Sequence, residues 1–210
     1  MLKRLIYPYV GCPTINHVNF QFLKEGLGIK YLILDKDDTL TIHDSDKLHS
    51  SIEPRKIREI IDLYKDRVFL VSNNKNPFDV DFTPALNDLV KKENSFRIIK
   101  TKKKKPFNFP EVKQNLEELF KGESVKGEEI AIIGDRILTD MYLAKKGSCF
   151  SIYVADFPES HKERPILLNT MRFIEHILFF QQKYGRTIRK HTFNGIPFFH
   201  DDVFDTNAKD

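Results

Sequence analysis

The order of apolar runs and amphipathic segments predicts an α/β fold, a Rossmann-like parallel sheet of about five strands with helices on both faces. Two observations carry this. Five apolar runs of strand length, at residues 31–34, 68–71, 96–99, 130–133 and 150–154, lack the polar alternation of a half-exposed strand, so each reads as buried on both faces. Between them lie segments with apolar residues three and four apart, the spacing of a helix with one buried stripe. A chain of 210 residues with 40% apolar content suffices for one such domain around a single core.

The elements follow in order. After the first run a helix is expected from Pro54, with Ile57, Ile60, Ile61 and Tyr64 on its buried side. A second is expected over 84–92, beginning at Pro84, and a third after Pro110, carrying Val112, Leu116, Leu119 and Phe120. Proline suits the first helical turn, where its missing N–H removes no bond. A fourth, over 139–146, stops at Gly147. The catalytic-type domain is expected to fill 1–160, leaving 161–210 as a C-terminal helix and extended tail. Apolar residues from Ile166 to Phe180 crowd that helix beyond one buried stripe, so its surplus face needs the domain, a second subunit or a bilayer. Beyond Gly185 an extended or poorly ordered arm is expected, with Phe193, Phe198 and Phe199 offered to a neighbouring protein.

Bulk composition excludes several classes. A net charge of +4, from 34 basic and 30 acidic side chains, is too mild to point to nucleic acid, and no nucleic-acid partner is expected. Cys12 and Cys149 lie too far apart to read as a redox or metal pair, and Cys149 reads as a small core residue. The seven histidines have no zinc-ligand spacing. No stretch approaches the roughly 20 apolar residues of a membrane-spanning helix. Lys3, Arg4 and Lys24 precede the first acid, Glu25, which has the balance of a mitochondrial presequence, but Pro8, Gly11 and Pro13 interrupt any helix there.

In an open parallel sheet, ligands bind beyond the carboxyl ends of the strands. The first run ends in Asp35-Lys36-Asp37-Asp38-Thr39, the second in Ser72-Asn73-Asn74, and the fourth in Gly134-Asp135-Arg136. Lysines 102–105 follow the third. Phosphoryl transfer needs an aligned nucleophile and neutralisation of charge on the moving group. Asp35 can attack phosphorus to give an aspartyl-phosphate. Asp37 can protonate the leaving oxygen and later accept a proton from water. Asp135 can join Asp35 and Asp37 around a hard divalent cation, Mg2+ being the expected one. Ser72 and the amide of Asn73 can donate to phosphoryl oxygens, and Lys105 supplies fixed positive charge. Thr39 and Asp140 are expected in support, Asp140 ordering a metal-bound water or orienting Lys105. Each signal alone has a plainer meaning: Asp-x-Asp is commonly a turn or cap, Gly-Asp a turn, and a lysine run a solvated face. Their joint order along four strand ends is what favours chemistry.

The segment Asp35-Lys36-Asp37-Asp38-Thr39-Leu40-Thr41 resembles the first motif of haloacid dehalogenase phosphatases, with Ser72, Lys105 and Asp135 on the other three. Val71-Ser72-Asn73-Asn74, Lys105-Pro106 and Gly134-Asp135-Arg136-Ile137-Leu138-Thr139-Asp140 are similar to the branch containing mitochondrial phosphatidylglycerophosphate phosphatase and its bacterial relatives. The lead-in Leu27-Gly28-Ile29-Lys30 is similar too, which implies that the first thirty residues belong to the domain. The lysine run is longer than the family pattern demands, leaving Lys104 as a substitute for Lys105.

The resemblance implies a lipid substrate, phosphatidylglycerophosphate, and a product, phosphatidylglycerol, that feeds cardiolipin synthesis. It also implies a peripheral place on the matrix side of the mitochondrial inner membrane, or the cytoplasm of a bacterium. Spacing agrees with a large substrate: from Asp35 to Ser72 is 37 positions (72 − 35) and from Ser72 to Lys105 is 33 (105 − 72), leaving no room for a cap domain. An anionic phospholipid surface is therefore an expected partner, met by the lysine run at about 1 kcal/mol per residue. Two alternatives stay open: a phosphatase of a soluble monoester, and a structural subunit joined to a larger mitochondrial assembly through its tail.

Overall fold

The chain's computed structural model describes residues 8–73, 80–154, 166, 169–171 and 190–205. Six strands, β1 Val10–Cys12, β2 Tyr31–Leu34, β3 Val68–Leu70, β4 Arg97–Ile98, β5 Ile130–Gly134 and β6 Phe150–Val154, form one sheet in the order β1-β6-β5-β2-β3-β4. Every neighbouring pair is parallel. The crossovers run through α1 Pro54–Tyr64, α2 Pro84–Glu93, α3 Phe109–Leu119 and α4 Tyr142–Gly147. Proline stands in the first turn of α1, α2 and α3, as the sequence predicts.

Strand pleating divides the core in two. Leu32 and Leu34 of β2 face one way, into a cluster with Ile57, Ile60 and Ile61 of α1 and Leu86 of α2. Tyr31 and Ile33 face the other, into a cluster with Val112 and Leu116 of α3 and Leu143 and Ala144 of α4. Helices therefore cover both faces, which is why the strands read as uninterrupted apolar runs. From β2 the chain steps to β3 on one side, while β5 lies on the other. The strand order reverses there, opening the crevice in which such sheets bind ligands.

Three differences from the sequence reading have physical causes. The sheet has a sixth strand: Val10 to Cys12 pairs with Ile152 to Val154. Three residues between prolines carry no period to detect, yet residues 10–29 supply core side chains including Val10, Cys12, Ile15, Phe20 and Leu27. The fourth helical segment begins earlier than expected, with a π-helical turn at Ile137–Met141 ahead of α4.

The third difference is the tail. Instead of an extended arm, β7 Lys190–Phe193 and β8 Ile196–Phe199 form an antiparallel hairpin. Asn194 and Gly195 join them with φ of 50° and 78°, the left-handed pair of a type I′ turn that matches strand twist. Phe193 and Phe198 are buried against Tyr9 and Phe150, so this chain's own core takes two of the three aromatics expected to dock elsewhere, while Phe199 is exposed. A 3-10 turn, His200–Val203, then brings Phe204 to an antiparallel bridge with Val18. Buried Lys56 of α1 secures the end, reaching Asp205 at 2.6 Å, Glu59 at 2.7 Å and the Val18 carbonyl at 3.2 Å. The helix expected over 165–184 falls outside the described residues except at 166 and 169–171, where Ile166 and Met171 are exposed.

Candidate active site

β2 delivers Asp35 to the crevice, its backbone N–H still bonded to the Ile133 carbonyl of β5 at 2.9 Å. The next residues turn sharply: Asp38 has φ of 62°, and the amides of Leu40 and Thr41 return to the Lys36 carbonyl at 2.9 and 3.1 Å. This tight turn gives Asp35 and Asp37 different partners. Asp37 accepts the Ser72 hydroxyl at 3.3 Å, a bond between the ends of β2 and β3. Burial raises the Asp37 pKa, opposed by Lys36 and His43 nearby. Lys36 itself is buried and pairs with Asp46 at 2.6 Å, tying the loop after Thr41 back to the site.

Lys105 arrives from the loop after β4. Its ammonium contacts Asp35 Oδ1 at 2.8 Å and Asp140 Oδ1 at 2.6 Å, and all three groups are buried. Burial works against the Lys105 charge, but the Asp140 and Asp35 carboxylates outweigh it and raise its pKa. Burial pushes Asp35 up to about 7, with Lys105 opposing and Asp140 adding to the rise. Lys104, considered as a substitute, is exposed, and Lys105 alone of the run reaches the carboxylates. Asn73 holds that lysine by its backbone: Asn73 Oδ1 accepts the Lys105 N–H at 2.7 Å. The sequence reading gave Asn73 only an amide aimed at phosphate and missed this clamp, which no spacing signals.

Asp135 directly follows β5, 2% exposed, and a ligand oxygen from each of Asp35, Asp135 and Asp140 lies within 4.8 Å of the others. The cation set expected from sequence was Asp35, Asp37 and Asp135. Asp140 joins Asp35 and Asp135 in the buried cluster, and Asp37, also expected around the cation, has a buried Oδ1 with no hydrogen-bond partner among the described residues. Asp140 is fixed by its own turn, since Oδ2 accepts the Arg136 amide at 3.2 Å and the Thr139 hydroxyl at 3.3 Å. It packs so closely over β5 that a Cβ at position 134 would lie 2.5 Å from its Cγ, which is why that strand ends in glycine. Thr39 is buried in the turn, its hydroxyl without a hydrogen-bond partner among the described residues.

Three buried carboxylates crowd around one ammonium, and all the donors are hard oxygens of the kind a divalent cation prefers. The donor set therefore fits Mg2+. Among the described residues no helix is long and apolar enough to cross a membrane, and no inserted domain stands between β2 and β3.

A family model described as mitochondrial PGP phosphatase matches residues 1–157. The chain belongs to that family. Membership makes it a phosphatase, with PGP, phosphatidylglycerophosphate, the substrate by which the family is described, and the match includes the N-terminal segment that supplies β1. Among curated proteins none matches the chain. A solved hydrolase of the haloacid dehalogenase-like family from Brucella suis 1330 is similar at 18% identity, over 73% of this chain and 67% of that one, with a TM-score of 0.26. That slight likeness adds nothing to the strand order above.

Proposed function

We propose that the chain hydrolyses the terminal monoester of phosphatidylglycerophosphate through an aspartyl-phosphate on Asp35, giving phosphatidylglycerol for cardiolipin synthesis. The observation that carries the mechanism is the buried contact of Lys105 with both Asp35 and Asp140 at the sheet's switch point. An Asp35 oxygen attacks phosphorus and the bond to the glycerol oxygen breaks. Asp37 gives its proton to that oxygen, a role its raised pKa suits. Water then attacks the phosphorus, Asp37 takes its proton, and the Asp35–phosphorus bond breaks to release phosphate. Lys105 keeps the nucleophile oriented and offsets charge on the transferring oxygens, while Ser72 orients Asp37.

Asp35, Asp135 and Asp140 would hold Mg2+, which when bound supplies charge neutralisation of the phosphoryl oxygens. With no inserted domain between β2 and β3, the site has space for a headgroup still seated in its bilayer. The lysine run supports recruitment to an anionic surface, and the family's description supports a mitochondrial location; the matrix side of the inner membrane is part of the proposal. Phosphate release decides the reading. Phosphatidylglycerophosphate in detergent micelles should outrun a panel of soluble phosphomonoesters, activity should require Mg2+ and vanish with chelator, and Asp35→Asn should release none. A soluble ester turned over far better than the lipid would remove the lipid reading.

A further inference from the structure

A loop and a helical turn that carry site residues also carry large exposed apolar side chains. Phe107, two residues beyond Lys105, is 60% exposed, and Leu138, three beyond Asp135, is 36% exposed. Leu138, Tyr142 and Lys146 stand four apart along the continuous helical stretch 137–147, so they share one face. At the far end of that row the Lys146 ammonium lies 4.4 Å from the Phe107 ring centroid and 5.2 Å from that of Tyr142. The row and the loop thus meet as one aromatic surface under a cation. Lys102, Lys103, Lys104 and Lys145 are exposed around it, and none has an ion pair among the described residues. Nearby acids on α3 are partly engaged, Glu117 with Lys113 and Glu111 with the Lys102 amide.

The opposite face of the sheet carries an acidic hollow. Beside α1 an open hollow of about 550 Å³ is lined by Glu59, Asp201, Asp202 and Asp205, with Arg55 the basic residue in its wall. An anionic surface is therefore met better by the lysine-ringed aromatic patch than by that hollow. Lysines alone would hold the chain at the headgroups; an exposed phenylalanine among them adds an apolar side chain that gains by leaving water.

We infer that Phe107 with the Leu138–Tyr142–Lys146 row is the bilayer-docking surface, Phe107 entering the interface of an anionic membrane and lysines around it pairing with lipid phosphates. This rests on the lipid reading of the site and names the face through which it meets its substrate.

The chain contains no tryptophan, which makes a direct test available. Phe107→Trp introduces a single indole whose emission should shift to the blue on phosphatidylcholine vesicles containing phosphatidylglycerol and stay unchanged without the anionic lipid. Phe199→Trp, on the hairpin across the sheet, should show no shift. Phe107→Ser should lower vesicle co-sedimentation about tenfold, and Lys145→Ser with Lys146→Ser should lower it further at low salt than at high. Both variants should hydrolyse p-nitrophenyl phosphate as the parent does. An unshifted indole at 107 while the parent pellets with vesicles would overturn the assignment, as would a parent that pellets with no vesicle. The lipid-phosphatase reading is tested separately by hydrolysis in micelles, which needs no bilayer docking, so either idea can fail alone.

Discussion

Asp37 and Asp140 divide between them what a carboxylate can do in a dry site. Asp37 has a hydroxyl partner and a raised pKa, the state of a proton donor. Asp140 instead meets the Lys105 ammonium at 2.6 Å and positions it. Asp37→Asn should therefore cut turnover by about 10² to 10⁴ while phosphate accumulates on Asp35, read as a stable phosphoprotein by mass spectrometry; free turnover at the parent rate would sink the acid/base role. Gly134→Ala should displace Asp140 by its added methyl group, costing about 10² in rate with far-UV circular dichroism unchanged. Asp35, Ser72, Lys105 and Asp135 were legible in the sequence because each abuts or follows an apolar run. The place of Asp140 beside Asp35 and Asp135 was not, since it depends on how a helical turn folds back over Gly134, and neither was the grip of Asn73 on Lys105.

Helices α1 to α3 were legible because proline marks their starts, and α1 buries Ile57, Ile60, Ile61 and Tyr64 at the expected period; α3 buries Val112 and Leu116, whereas Leu119, expected beside them, is exposed at the helix end and Phe120 lies beyond it. β1 and the hairpin were not. Each is three or four residues long and acquires its meaning from residues far away, β1 from β6 and the hairpin from Tyr9 and Phe150. Lys56 shows how the hairpin's end is held, as a wholly buried cation with two carboxylates and a carbonyl around it. Removing the cation while leaving Asp205 half enclosed is costly, because a charge remains with reduced hydration. Lys56→Met should lower stability by about 2 to 3 kcal/mol in urea unfolding and open the segment near Asp205 to protease. Unchanged stability would mean that the ion pair only breaks even with its desolvation.

Across the whole molecule the two ends of the sheet have different electrostatic characters. At the end away from the crevice, Glu123 accepts the Tyr31 hydroxyl at 2.7 Å and both Arg67 nitrogens at 2.6 and 2.8 Å, while Arg67 lies over the Tyr31 and Phe120 rings. Arg67 first, then Tyr31, lower the Glu123 pKa from 4.5 to about 2. A carboxylate depressed on folding stabilises the fold above its unfolded pKa, and that stabilisation is lost as pH falls toward the folded value. Glu123→Gln should therefore be less stable than the parent at pH 7, with the gap closing between about pH 4.5 and 2 in thermal unfolding; because the group is largely exposed the gap should be small. The sheet order has a consequence in time. Val10 pairs with Ile152, 142 positions later (152 − 10), and Tyr9 packs on Phe193 and Phe198 beyond that. A nascent chain emerging N-terminus first has nothing to seat its first strand until the sixth is made, so a ribosome or translocation pore holds an incomplete sheet until almost all of the polypeptide has passed through.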